Sequence, residues 1–183
     1  MTLTTFRPFT VEEYHKMAEA GVFAPDERVE LLGGMIRPMS PVGGKHVTIV
    51  GRLGETLVFA FAKTYSIHTQ SPFILSEESE PEPDAMVVKR YHLGDEPEKA
   101  SATDVFLVVE VSDSTLKYDL NEKLPLYAAA GIPEVWIIDV NLNRITQYHT
   151  PVADNYTHSN IYHPSDTIMT TLGVEIQAGD ILL

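Results

Sequence analysis

The run FLVVEV, Phe106 to Val111, constrains this chain more than any other stretch. It is apolar and largely β-branched except for one carboxylate, Glu110. Runs of this kind read as strands buried on both faces. Such a strand needs packed layers on either side of its sheet. A lone ionised carboxylate inside it is costly unless a partner compensates it. The fold must therefore supply both the layers and the partner.

The rest of the chain reads as material for those layers. TVEEYHKMAEAG predicts a short N-terminal helix, with Thr10 and Glu13 at capping-box spacing and Gly21 as the stop. RVELLGGMIRPM predicts a hairpin around Gly33-Gly34, and SPVGG a loop. From His46 to about Lys63, the residues Val47, Ile49, Val50, Leu53, Leu57, Val58 and Phe61 recur at helical spacing and predict the main core helix. Tyr65 to Thr69 predicts a short strand. SEESEPEPD is an acidic loop leading into a strand, AMVV, and RYHLGDEPEKASAT is a polar excursion. After FLVVEV, DLNEKLPLYAAAG predicts a helix closed by Gly131, starting near Asn121 or Glu122 or kinked by Pro125. EVWIID and RITQYH, joined by VNLN, predict a second hairpin. The tail from Asn155 is expected to form short strands and turns. The reading is one domain over 1–183: helix and hairpin at 9–39, a core at about 44–150 and a β-rich tail at 151–183. Its class is α/β, an α+β mixed sheet flanked by helices.

The totals narrow the function. At 183 residues the chain can build a real core, and 44% hydrophobic with 21% charged is globular composition. A formal net charge of −13 disfavours non-specific adhesion to nucleic acid or anionic membrane, although a bound cation would reverse the sign locally. The absence of cysteine removes disulfides, zinc–thiolate sites and thiol catalysis. The N-terminal stretch lacks a long apolar core and carries early acids, and no run reaches the length of a membrane span. A soluble, cytoplasmic protein without membrane partners is the expectation.

Asp84 follows Pro83 and opens AMVV, while Glu110 lies near the end of FLVVEV. If the two strands pair, both carboxylates fall at one edge of the sheet. Close carboxylates repel unless a cation lies between them, and Mg²⁺ or Mn²⁺ takes oxygen ligands of this type. A Lys or Arg partner, or a solvated face, would also account for Glu110. Lys123 lies thirteen residues after Glu110, on the following helix. It could return over the strand end as a compact positive charge beside a phosphoryl oxygen. It could equally be a surface lysine paired with Asp119 at i, i+4 spacing.

EPEPDAMVV, FLVVEVSDST and YDLNEKLPLYAAAGIPEVWIID, in that order, resemble the Uma-type restriction endonuclease family of the PD-(D/E)XK nuclease superfamily. RVELLGGMIRPMSPVGGKHVTIVGRL is similar to the family's N-terminal part, so the resemblance runs from about Phe9 to Tyr148. It implies a restriction-endonuclease-like core. Pro83-Asp84 matches the PD element and Glu110 the second acid, with the Val111 backbone carbonyl as a further metal ligand. The usual lysine position holds Ser112, and the resemblance assigns that role to Lys123. Glu30 matches an acid near the metal, and His46 a histidine that would touch phosphate or water. The implied activity is Mg²⁺- or Mn²⁺-dependent hydrolysis of phosphodiester bonds in nucleic acid, DNA first, by a homodimer.

Two other readings compete. The charge balance, 13 basic against 26 acidic residues with no basic run, suits a non-catalytic module that keeps the fold for protein–protein contact. Against it, Asp84, Glu110 and Lys123 are all present. Arg28, Arg37, Lys45, Arg52 and Lys63 cluster in the N-terminal third and would have to flank one cleft. A zinc hydrolase is disfavoured, because no histidines form an H-x-x-x-H or H-x-H pair. His158 and His163 read as polar surface, Trp136 as core and Asp139 as a turn residue. The paired glycines lack the Lys-Ser/Thr of a phosphate-binding loop.

Overall fold

The computed structural model describes residues 6–41, 43–95 and 97–183. The opening MTLTT, Val42 of the SPVGG loop and Glu96 of the polar excursion lie outside these residues. FLVVEV is the centre of a strand, β5 (Val105–Ser112), buried at every position except Phe106. It sits inside a six-stranded sheet of order β3-β4-β5-β6-β7-β8. The other strands are β3 (Tyr65–Thr69), β4 (Ala85–Lys89), β6 (Glu134–Asp139), β7 (Arg144–Val152) and β8 (Asn155–Tyr162). Only β5 and β6 are parallel neighbours. A parallel pair needs a crossover, and residues 116–129 provide it.

Helix α1 (Val11–Glu19) begins at Thr10 with the capping box closed in both directions. The hairpin of β1 (Val29–Leu32) and β2 (Met35–Pro38) forms around Gly33 and Gly34, at φ +55 and +72. A side chain at Gly34 would strike Pro8, whose neighbour Phe9 donates its N–H to the Gly34 carbonyl. An isolated bridge, Leu31 to Glu80, ties this hairpin to the loop before β4. The tie places Glu30 at the sheet end.

Helix α2 (Gly44–Phe61) covers one sheet face, packing Ile49, Leu53, Leu57 and Phe61 against Ala85, Val87, Leu107 and Val109. Val47 and Val58, expected on its apolar side, are 58% and 49% exposed. Each is one residue past a buried position and so about 100° around the helix from it. The crossover covers the opposite face, where Met86, Val88, Val108, Tyr127 and Ile137 pack together.

That crossover corrects the sequence expectation. It is helical from α3 (Leu116–Tyr118), continues through a π-helical turn (Asp119–Lys123) and ends in α4 (Leu124–Ala129). Leu124 N–H bonds to the Asp119 carbonyl, so the ladder widens just before Pro125, which has no N–H to give. The helix absorbs its proline without a break. The wide turn carries Asp119 and Lys123 into the interior, each 4% exposed. Strand β8 is a full sheet strand, whereas β9 (Thr167–Met169) and β10 (Glu175–Gln177) form a separate small pair. Among the described residues no helix is long and apolar enough to cross a membrane.

Candidate active site

Strands β4 and β5 are antiparallel with Ala85 opposite Val109, and that register carries Asp84 opposite Glu110. Alternation aligns Asp84 with Met86 and Glu110 with Val108, on the face the crossover covers. Asp84 Oδ2 accepts the Val111 N–H at 2.8 Å. The N–H and C=O of a strand residue point to the same side. The Val111 carbonyl therefore also turns toward Asp84, beyond the first residue of β4.

Glu110 is compensated by a lysine. Its Oε1 accepts from Lys123 Nζ at 3.2 Å and from the Tyr127 hydroxyl at 2.5 Å. Lys123 Nζ also reaches Glu30 Oε2 at 3.1 Å. Glu30 accepts in addition from the Tyr118 hydroxyl and the Glu82 N–H, both at 3.2 Å. Burial pushes the Glu110 carboxyl well up, with Lys123 opposing that shift. Burial alone would lower Lys123, but Glu110, Glu30 and Asp119 outweigh it and hold the ammonium above its ordinary value. Burial, reinforced by Glu110, likewise raises the Tyr127 phenol.

Two further groups complete the constellation. His46, at the start of α2, places Nε2 3.1 Å from Asp84 Oδ1 and hydrogen-bonds Oδ2 at 3.2 Å. This hydrogen bond raises the imidazole, while its Nδ1 is buried with no partner among the described residues. Asp119 accepts from Ser112 Oγ and Thr115 Oγ1, both at 2.7 Å, and burial raises its carboxyl. All these groups except Tyr127 and Ser112 line one cleft of about 330 Å³. Its acids, Glu30, Glu82, Asp84, Glu110, Asp113 and Asp119, outnumber Arg28, Lys123 and His46. A cleft of that balance attracts cations.

The sequence profile of the Uma2 family, described as "Putative restriction endonuclease", matches residues 11–179. The chain belongs to this family. A crystal structure described as a putative nuclease belonging to DUF820 from Anabaena variabilis has the same fold. Its TM-score is 0.73 at 14% identity, covering 95% of this chain and 97% of that one. No curated protein matches.

In this Uma2 chain, the site residues that the family resemblance implied all line the cleft: Asp84, Glu110, Lys123, Glu30, His46 and Val111. Lys123 takes Glu30 and Glu110 as partners, instead of forming the surface pair with Asp119. Of the five basic residues in the N-terminal third that nucleic-acid binding would need beside one cleft, only Arg28 lines it. Arg52 instead donates to the Gly179 and Asp180 carbonyls. Asp139 is the last residue of β6, and its Oδ1 accepts the Asn141 and Leu142 N–H groups of the turn that follows. Sequence reasoning missed Tyr127, Tyr118 and the buried role of Asp119. Tyr127 lies four residues after Lys123, the same-face spacing of a helix, and that signal was available.

Proposed function

We propose that this protein is a metal-dependent endonuclease hydrolysing phosphodiester bonds of nucleic acid, with DNA as the preferred substrate. Membership of the Uma2 family supports nuclease chemistry. The observation that carries the proposal is the convergence of Asp84, Glu110 and Lys123 in one cleft, from a strand entry, a strand end and a wide helical turn.

The donor set fits Mg²⁺ or Mn²⁺. Glu110 Oε1 is occupied by two donors, and no protein donor reaches its Oε2 among the described residues. Asp84 and the Val111 carbonyl add hard oxygens on the same side. No group of three or more acidic or histidine side chains stands ready for an ion among the described residues. One or two carboxylates with retained waters is the ordinary Mg²⁺ arrangement. Glu30, expected as a ligand, has its oxygens engaged by Lys123, Tyr118 and Glu82, and in this proposal it anchors Lys123. When bound, the ion polarises the phosphoryl group and lowers the pKa of a water.

The chain's own residues do the rest. Lys123 is held protonated and aimed by two carboxylates, so its charge can offset that developing on the phosphate. His46 donates Nε2–H to Asp84 and fixes the carboxylate's orientation. Arg28 is the cleft's remaining cation for the substrate backbone, although Glu82 holds it at 2.5 Å. A homodimer is proposed on the family resemblance, with β8 as an open sheet edge; a cytoplasmic location is proposed on the sequence alone.

The test is cleavage of plasmid, single-stranded DNA and RNA at low salt in Mg²⁺ or Mn²⁺, beside Asp84→Ala. Metal-dependent cutting that disappears in the variant is the expected result. Equal cutting by both proteins, or none by either, would sink the proposal and favour the non-catalytic module.

A further inference from the structure

We propose that His149 and His158 form a second metal site, for a borderline transition-metal dication such as Ni²⁺, Zn²⁺ or Cu²⁺. The site lies at the end of the sheet away from the cleft and is independent of the nuclease reading. In the sequence the two histidines are unrelated, and His158 invites comparison with His163 instead. The fold makes His149 and His158 direct cross-strand partners on β7 and β8. Their rings lie 5.1 Å apart with an interplanar angle of 9°.

The hydrogen bonds around the pair select one tautomer. The Thr157 hydroxyl gives its proton to the Thr150 carbonyl at 3.0 Å. Its oxygen, 3.0 Å from His158 Nδ1, is then left to accept. A neutral His158 therefore carries its proton on Nδ1 and presents Nε2 as the free nitrogen. The Thr150 hydroxyl stands 3.1 Å from His149 Nδ1 and can accept in the same way. Neither Nε2 has a protein partner among the described residues. A histidine that donates through one nitrogen and offers the other is the arrangement metal ligands use.

The backbone supports the same reading. Thr150 has φ +62, which is strained for a β-branched residue. The side-chain alternation breaks there: His149 follows Gln147 on one face, while Tyr156 packs with Tyr148 on the other. The strained residue contacts His149 through its hydroxyl, and its carbonyl accepts from the Thr157 hydroxyl that contacts His158. Glu134, paired with His149 across β6, cannot serve as a third ligand. Its oxygens already accept from Trp136, Gln147 and Thr171. The protein thus supplies two nitrogens and water the remainder. Imidazole nitrogen selects Ni²⁺, Zn²⁺ or Cu²⁺ over Mg²⁺. An ion bound about 2.0 Å from each nitrogen requires the rings to tilt toward one another.

The experiment is calorimetric titration of Ni²⁺ into the untagged full chain under saturating Mg²⁺. The proteins are wild type, His149→Ala, His158→Ala, Thr157→Val and Asp84→Ala, each shown to be folded by a cooperative metal-free melting transition. Imidazole ¹⁵N spectra locate the bound ion. The expected result is one equivalent bound by wild type and by Asp84→Ala, lost in both histidine variants. Thr157→Val should bind about 10- to 100-fold more weakly. No binding by wild type, or binding unchanged in His158→Ala, overturns the proposal and leaves the pair as stacked surface rings. Binding lost in Asp84→Ala alone would also overturn it, by locating the ion in the cleft.

Discussion

Two glutamates are buried in the same sheet, and their surroundings differ in kind. Glu134 opens β6 opposite Leu107, is 1% exposed, and accepts from Trp136 Nε1, Gln147 Nε2, and the Thr171 N–H and hydroxyl at 2.6 to 2.7 Å. Every donor is neutral, and both oxygens are used. Glu110, 4% exposed and three residues along the neighbouring strand from Leu107, concentrates its donors on one oxygen. One of those donors is a cation shared with a second carboxylate, and the residue lines a cleft. A buried carboxylate saturated by neutral donors locks structure together. One held by a shared lysine, with an oxygen to spare, is equipped to act on something else.

Substitutions can break that contrast. The largest effect is expected for Lys123→Ala, which strands Glu30 and Glu110 together in the interior. Removing one partner of a buried ion pair costs about 3–5 kcal/mol. Urea unfolding should show a loss of that size, along with loss of cleavage. Glu134→Ala leaves four donors without an acceptor. It should cost on the order of 3 kcal/mol by the same measurement, with turnover per folded molecule unchanged. A Glu134 variant that folds well but no longer cuts would erase the distinction between the two residues.

Smaller effects sharpen the contrast. Tyr127→Phe removes the shortest bond to Glu110 and should cost about 1.5 kcal/mol, while lowering cleavage with little change in KM. The smallest effect belongs to His46. Asp84 raises its pKa above the unfolded value, so its contribution to stability is complete below about pH 6.5. That contribution fades as pH rises through the folded value. In metal-free protein the stability gap between wild type and His46→Gln should shrink from about pH 6 to about pH 8. A gap that widens with pH would mean His46 is held neutral.

Local patterns carried most of the architecture. The buried run around Glu110, the capping box at Thr10, the Gly33-Gly34 turn and the β6–β7 hairpin all form where their residues predict, because each depends on neighbours in sequence. The buried stripe of α2 is narrower than its apolar residues predict, since Val47 and Val58 are apolar yet point outward. Apolar identity says what can be buried, and the width of the covering layer decides what is. Pro125 predicts a late start or a kink, because sequence does not report an i to i−5 register. The wide turn lets the helix run through and turns Lys123 inward.

What the sequence by itself determined is the set of chemical groups and their elements: a carboxylate at a strand entry, another near a strand end, and a lysine on the next helix. Tertiary structure alone decided their partners. The β4–β5 register set Asp84 opposite Glu110, the bridge from Leu31 to Glu80 brought in Glu30, and the β7–β8 pairing stacked His149 on His158. The reason is physical. Periodicity encodes which face of an element is apolar, but a charge finds its partner through long-range register. Register is settled only when the whole sheet and its covering helices pack at once.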